Sequence, residues 1–396
     1  METALLTRPG ERRMPTNPLR RTFRRHLTVL AALALMPAAR TSAQSIPARL
    51  ADTTFWRMVN AFSEPGGFFR SDNFVSNETS FQWVIPELQR TVRPGGVYVG
   101  VAPDQNFTYL VALKPGIAFI VDIRHQNAIQ HLMYKALIEL SADRAEFVSR
   151  LFSRERPPGL DTTITAAALF QAFSTMSSDS ALRDRNLTSI KDRLVKTHAF
   201  ALTQEDLRTL DYVYGAFYAS GPNLTYTFGG GYGGANGRRY MPTFEALMTE
   251  SDGAGQNRSD LATEANYRAL KDFEERNLIV PLTGNFAGEK TFHAVGQWVR
   301  DRGATITAIY TSNVEQYLFQ GADEWSRFYK NVATLPLDST STFIRSFSMR
   351  GTATQFRQQS TKSNSVQLLS SVAGILKAFG DGTLQSYWQV LQLSHQ

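Results

Sequence analysis

The chain has 396 residues, no cysteine, 42% apolar and 19% charged side chains, and a formal net charge of +7. That composition is enough for the core of one large domain or two ordinary ones and argues against disorder. Without cysteine there is no disulfide framework, thiol nucleophile or thiolate metal site.

Most of the charge sits at the start. Residues 1–43 hold eight Arg and two Glu, so residues 44–396 keep 34 basic and 33 acidic side chains. That near balance gives no basic face for nucleic acid. The string "RRTFRRHLTVLAALALMPAARTSAQS" has an Arg-rich start, an apolar run from Leu27 to Ala39 and a small-residue exit ending at Ala43. This is the pattern of a secretory signal peptide over 1–43, and it predicts a periplasmic or extracellular protein over 44–396. The export route is either Sec or, from Arg20-Arg21-Thr22-Phe23, twin-arginine. The apolar run is shorter than the roughly 20 residues of a membrane span, as is every later one, so no integral membrane anchor is expected.

Leu50 to Phe62 has apolar residues at helical spacing. "SEPGGFFRSDNFVSNE" follows, rich in turn formers, amides and hydroxyls; it reads either as a lid over a ligand or as a helix start capped by Ser76 or Asn77. Residues 80–92 read as a helix around Pro86. Val97 to Val101 is a short buried strand, with a helix expected from Asp104, its candidate N-cap, through "QNFTYLVALK" to the Pro115-Gly116 stop. "IAFIVDI" is a second strand without alternation, which suits a parallel sheet covered on both faces. A long helix over about 126–152 and several more build a helical insertion of about 126–276, crossed by the glycine-rich loop "FGGGYGGANGRRYMP". Its Tyr232, Arg238 and Arg239 could grip an anion, but no G-K-[ST] follows, and a surface loop is the plainer reading. A second strand–helix–strand block starts at Asn277, and "STFIRSFSM" reads as the last strand. The fold class predicted is α/β: a Rossmann-like three-layer α/β/α domain with a mainly parallel central sheet.

In such sheets ligands sit beyond the carboxyl ends of the strands. Four polar tips follow apolar runs: "APDQN", "DIRHQN", "TGNFAG" and "TSNVEQY". Asp122 stands 22 residues after Gly100, a spacing at which a carboxylate can accept both ribose hydroxyls; the alternative is helix capping or an ion pair with Arg124. The first turn lacks G-x-G-x-x-G, which weakens a dinucleotide reading. His125 beside Asp122 is a candidate general base or an exposed strand-end histidine. The six histidines are too scattered to predict a metal site, and no G-x-S-x-G elbow occurs.

The layout of "VYVGVAPDQN…FIVDIR" and "LIVPLTGNFAG" resembles the class I, S-adenosylmethionine-dependent methyltransferase fold. The resemblance implies that Gly100, Pro103 and Asp104 in the first turn, with Asp122, hold the cofactor, and that Thr283 and Asn285 face a substrate. The polar tips and the "SDNFVSNE" segment themselves add Asn106 as a cofactor contact and Asn73, Asn77, Glu78, Ser312 and Asn313 as substrate contacts. "SDNFVSNE", "PDQNFTY", "HLMYKALIELSADRAEF" and "YTSNVEQYLFQ" also resemble an uncharacterised bacterial protein family, which brings no activity with it. Two functions follow as expectations: an exported S-adenosylmethionine-dependent transferase acting on a small molecule, or a non-catalytic envelope or periplasmic binding protein using the same pocket for a small polar ligand. An envelope interaction protein is a third.

Overall fold

The computed structural model of the protein describes residues 45–226, 241–348 and 365–395. The proposed leader and the glycine-rich stretch from Gly229 to Arg239, with Tyr232, Arg238 and Arg239, lie outside the described residues.

Six apolar runs pair into one sheet, and helices fill the crossovers. Helix α1 (Asp52–Phe62) and the short α2 (Ile85–Thr91) precede β1 (Val97–Gly100). α3 (Gln105–Leu113) leads to β2 (Ile117–Asp122). The crossover to β3 (Ile279–Thr283) is the helical insertion: α4 (His125–Leu140), α5 (Arg144–Phe152), α6 (Ala166–Ser174), α7 (Ser180–Asp192), α8 (Gln204–Ser220), α9 (Phe244–Thr249) and α10 (Glu264–Glu275). Then come α11 (Thr291–Arg300), β4 (Ile306–Ser312), α12 (Val314–Leu318), α13 (Glu324–Ala333), β5 (Thr342–Ser348), β6 (Ser365–Ser371), α14 (Val372–Gly380) and α15 (Tyr387–Gln392).

The strand order is β3-β2-β1-β4-β5-β6, parallel throughout except for the antiparallel β5–β6 pair. Every residue of β1, β2 and β3 is buried, as unalternated apolar runs require. Pro281 sits inside β3 because that strand is an edge, bonded only to β2, and needs no second ladder. Helices cover both faces: α3, α4 and α10 pack together on one, and α11, α13 and α14 on the other. Among the described residues no helix is long and apolar enough to cross a membrane.

Two expectations are corrected. The helix read over 126–152 is two helices, because Asp143 turns extended and its side chain accepts the Glu146 N–H to start α5. β5 is not the last strand. β6 follows it, and its serine-flanked "SVQLLSS" gives a weak apolar signal although the strand is buried up to Ser370.

Candidate functional site

The chain runs β1, β2, β3 in one direction and returns with β4 on the far side of β1, which puts the switch point between β1 and β4. Each tip there is shaped by a specific local interaction. After β1, Ala102 adopts a left-handed backbone at φ 65°. Asn106 holds that turn, its Nδ2 donating to the carbonyls of Val101 (2.8 Å), Ala102 (3.0 Å) and Pro103 (2.7 Å), while its Oδ1 accepts from Tyr98 OH at 2.9 Å. Gly100 is glycine because a Cβ there would collide with the Asn106 carboxamide.

After β2, Asp122 turns back onto Arg124. Its Oδ1 accepts the Arg124 backbone N–H (2.9 Å) and Nε–H (3.0 Å), and its Oδ2 accepts from Nη2 at 2.7 Å. Arg124 Nη1 also donates to the carbonyls of Ser71 (3.2 Å) and Asp72, and its guanidinium lies over the Phe69 ring. The segment before Asn73 is thereby strapped across the β2 tip. After β3, the Gly284 N–H donates to Asp122 O at 2.8 Å, and the Glu64 carboxylate accepts from the N–H groups of Lys290 (2.9 Å) and Thr291 (2.8 Å) at the start of α11. After β4, Ser312 is again left-handed at φ 51°.

All four tips line one cavity of about 370 Å3, which Val101–Pro103, Asp122–Arg124, Gly284–Phe286 and Ser312–Val314 enclose together with Phe69, Asn73, Ser76–Thr79, Gln105, Tyr226, Met241, Pro242, Tyr310, Gln316–Leu318, Ser346 and Ser365. Three of its lining residues, Asn73, Ala102 and Ser312, are non-glycine residues at positive φ. Such backbone strain collects at ligand sites.

Glu78, 3% exposed, is the buried carboxylate of this cavity that has no cationic partner among the described residues. Its Oε2 accepts from Gln105 Nε2 (2.8 Å), Tyr310 OH (2.9 Å) and Gln367 Nε2 (3.2 Å), and its Oε1 accepts from the Ser312 hydroxyl. Burial raises its pKa above the usual carboxylate range, and those four donors pull it back. Ser76 Oγ donates to Gln105 Oε1 at 2.5 Å, so the network is braced from the loop that supplies Glu78.

Of the residues singled out in the sequence, Asn73, Asn77, Glu78 and Pro103 line the cavity, as do Asp122, Asn285, Ser312 and Asn313. Gly100, Asp104, Asn106 and Thr283 do not. Gly100 and Asn106 shape the β1 turn instead. Thr283 points to His125, whose Nδ1 is 3.0 Å from Thr283 Oγ1 and whose Nε2 is 2.7 Å from Asp206 Oδ1. Asp104 stands at the N-cap of α3 but caps nothing, because its backbone is already helical and its side chain accepts no capping hydrogen bond. Burial, then the neighbouring Asp260, pushes Asp104 up to about 7. The alternative weighed for Asp122, the ion pair with Arg124, is present. Sequence reading missed Gln105, although "APDQN" contains it, and Tyr310, which hides in an apolar run. It also missed Gln367, which belongs to the unrecognised β6. Among the described residues no three His, Asp or Glu side chains converge as a metal site would require.

A family model described as "Domain of unknown function (DUF7790)" matches residues 73–195 and 237–386, ranges that take in all four strand tips and Glu78. No curated protein matches the chain.

Proposed function

The chain belongs to the family described as "Domain of unknown function (DUF7790)", and from the pocket itself we propose that it is a binding protein for a small polar molecule, held at the switch point of a Rossmann-like sheet. The observation that carries this reading is the convergence of four strand tips, distant in sequence, on one cavity of about 370 Å3. That is the size and place of a small-molecule site in an open α/β sheet. The lining is mixed as such sites require: Phe69, Tyr226, Phe286 and Tyr317 supply aromatic surface, and amides and hydroxyls supply orientation.

A methyltransferase-like transferase using S-adenosylmethionine is the other reading. The strand order and the Asp122 carboxylate at the cavity wall favour it. The fit of the cofactor to these residues is poorer. Both Asp122 oxygens are engaged by Arg124, so ribose hydroxyls would compete with a buried ion pair. The space beside Gly100 is filled by Asn106 rather than left for the cofactor. The leader predicted at residues 1–43 also implies export, away from the cytoplasmic cofactor pool. The binding reading therefore stands first.

Thermal unfolding of the purified protein with S-adenosylmethionine, S-adenosylhomocysteine, adenosine, nucleotides and a set of small polar metabolites tests both. A ligand at a hundred times its Kd adds about 2.7 kcal/mol. The stabilisation should vanish in Asn313→Trp, which fills the rim. Stabilisation by S-adenosylmethionine with methyl transfer to a co-substrate supports the transferase, and no stabilisation by any compound removes the binding reading.

A further inference from the structure

Resting on the reading of the cavity as a ligand site, we infer that its ligand presents an ammonium group to Glu78. Among the described residues only three charged side chains line the cavity: Glu78, Asp122 and Arg124. Asp122 and Arg124 are nine-tenths buried and neutralise each other. Arg124 donates through Nη1 to the carbonyls of Ser71 and Asp72, which leaves it a single Nη2–H and no two-pronged fork for an anion. What remains is the single negative charge of Glu78.

The hydrogen bonds around that carboxylate are arranged for its ionised form. Two hydroxyls and two carboxamide NH2 groups donate into it, and an ionised carboxylate is an acceptor at both oxygens. The distribution is uneven. Oε2 takes three donors, whereas Oε1 takes only the Ser312 hydroxyl, and both Glu78 and Ser312 face the cavity. Oε1 therefore keeps unused acceptor capacity among the described residues. None of the four donors is a cation, so nothing on the described wall neutralises Glu78. An N–H of an ammonium group supplies both the missing donor and the missing charge. A phosphate would meet this buried carboxylate with no free cation beside it among the described residues, which low dielectric makes unfavourable.

The test is a fragment set with equal numbers of primary amines, neutral alcohols, carboxylates and phosphate monoesters. Each is read by thermal shift and ligand-observed NMR on the wild-type chain, Glu78→Gln, Ser312→Ala and Asn313→Trp. Amines should dominate the wild-type hits. Glu78→Gln should weaken them roughly tenfold to a hundredfold, the worth of one charge-assisted hydrogen bond. Ser312→Ala keeps the charge and should keep the preference. Anionic fragments that bind as well as amines overturn the inference, as does an amine affinity unchanged in a folded Glu78→Gln protein. If those anions are lost in Asn313→Trp, the pocket reading survives and only the charge assignment falls. If no fragment of any class binds, both fall. Should Glu78→Gln fail to fold, the ranking of fragment classes on the wild-type chain decides alone.

Discussion

Arg124 closes on Asp122 with two prongs, Nη2 to Oδ2 at 2.7 Å and Nε to Oδ1 at 3.0 Å, and the same guanidinium holds the backbone of Ser71 and Asp72. One side chain thus ties the tip of β2 to the strap over the cavity. Arg124→Met leaves Asp122 buried and unpaired and releases the strap at once. The expected loss is about 3–5 kcal/mol, typical of a buried pair broken on one side. Asp122→Asn added to Arg124→Met should recover part of it, since no orphan charge remains. Urea unfolding measures the loss. Limited chymotrypsin digestion checks the strap, because Phe68, already 87% exposed, should be cut sooner in the variant.

The β1 turn depends on Asn106, which is fully buried and donates to three successive carbonyls. Asn106→Asp replaces those donors with an acceptor that faces carbonyl oxygens. A buried unsatisfied polar group costs about 1–3 kcal/mol, and here several are made together, so a loss of about 3 kcal/mol or more is expected. Gly100→Ala should destabilise by roughly 1–3 kcal/mol through overpacking against the same carboxamide. Equal and non-additive losses in the double variant would show that both act on one turn.

Glu315 and Arg345 form a buried pair behind the cavity, 1% and 0% exposed, with Nη2 to Oε1 at 3.1 Å. Glu315 also accepts from Tyr329 OH at 2.5 Å and Thr311 Oγ1 at 3.1 Å. It is the first acid of α12, the short helix that carries Gln316, Tyr317 and Leu318 to the cavity wall. Arg345→Met should cost about 3–5 kcal/mol, and Glu315→Leu with Arg345→Met should cost far less. A double-mutant cycle by chemical denaturation gives the coupling energy. A single variant as stable as the wild type would mean that α12 is held by packing alone.

The parallel sheet was legible because β1, β2 and β3 are short apolar runs that end in polar tips, and a strand buried on both faces leaves that mark whatever the ligand. The split of the long helix was written in Asp143 and Glu146, a capping pair overlooked because apolar periodicity runs on past it. The carboxylate network was not legible. Glu78 could be picked out as one of several polar residues in its loop, but its partners Gln105, Tyr310, Ser312 and Gln367 come from three separate elements, α3, β4 and β6. Local pattern carries no information about which of many amides will meet one carboxylate. Gly100 was ambiguous for a related reason: a glycine beside a strand end can make room for a ligand or for a neighbouring side chain, and here the Asn106 carboxamide lies against it.

Asp104 makes a pH prediction with a definite sign. Burial and then Asp260 raise it to about 7, and burial raises Asp260 to about 6 against the pull of its Thr108 hydrogen bond. In the unfolded chain both titrate near the ordinary aspartate value of about 3.9. Between about pH 4 and pH 7 the folded protein holds protons that the unfolded chain has lost, so stability falls as pH rises through that window and levels off above it. Each proton fully retained contributes a slope of up to about 1.4 kcal/mol per pH unit. Asp104→Asn is close in shape and has no charge to bury. It should come closest to the wild type at about pH 4, where Asp104 is protonated both folded and unfolded, and become increasingly the more stable protein as pH rises to about 7, above which the difference holds. Urea midpoints from pH 4.5 to 8.5 measure this. Parallel curves for the two proteins would mean that Asp104 is solvated in solution and bears no proton at neutral pH.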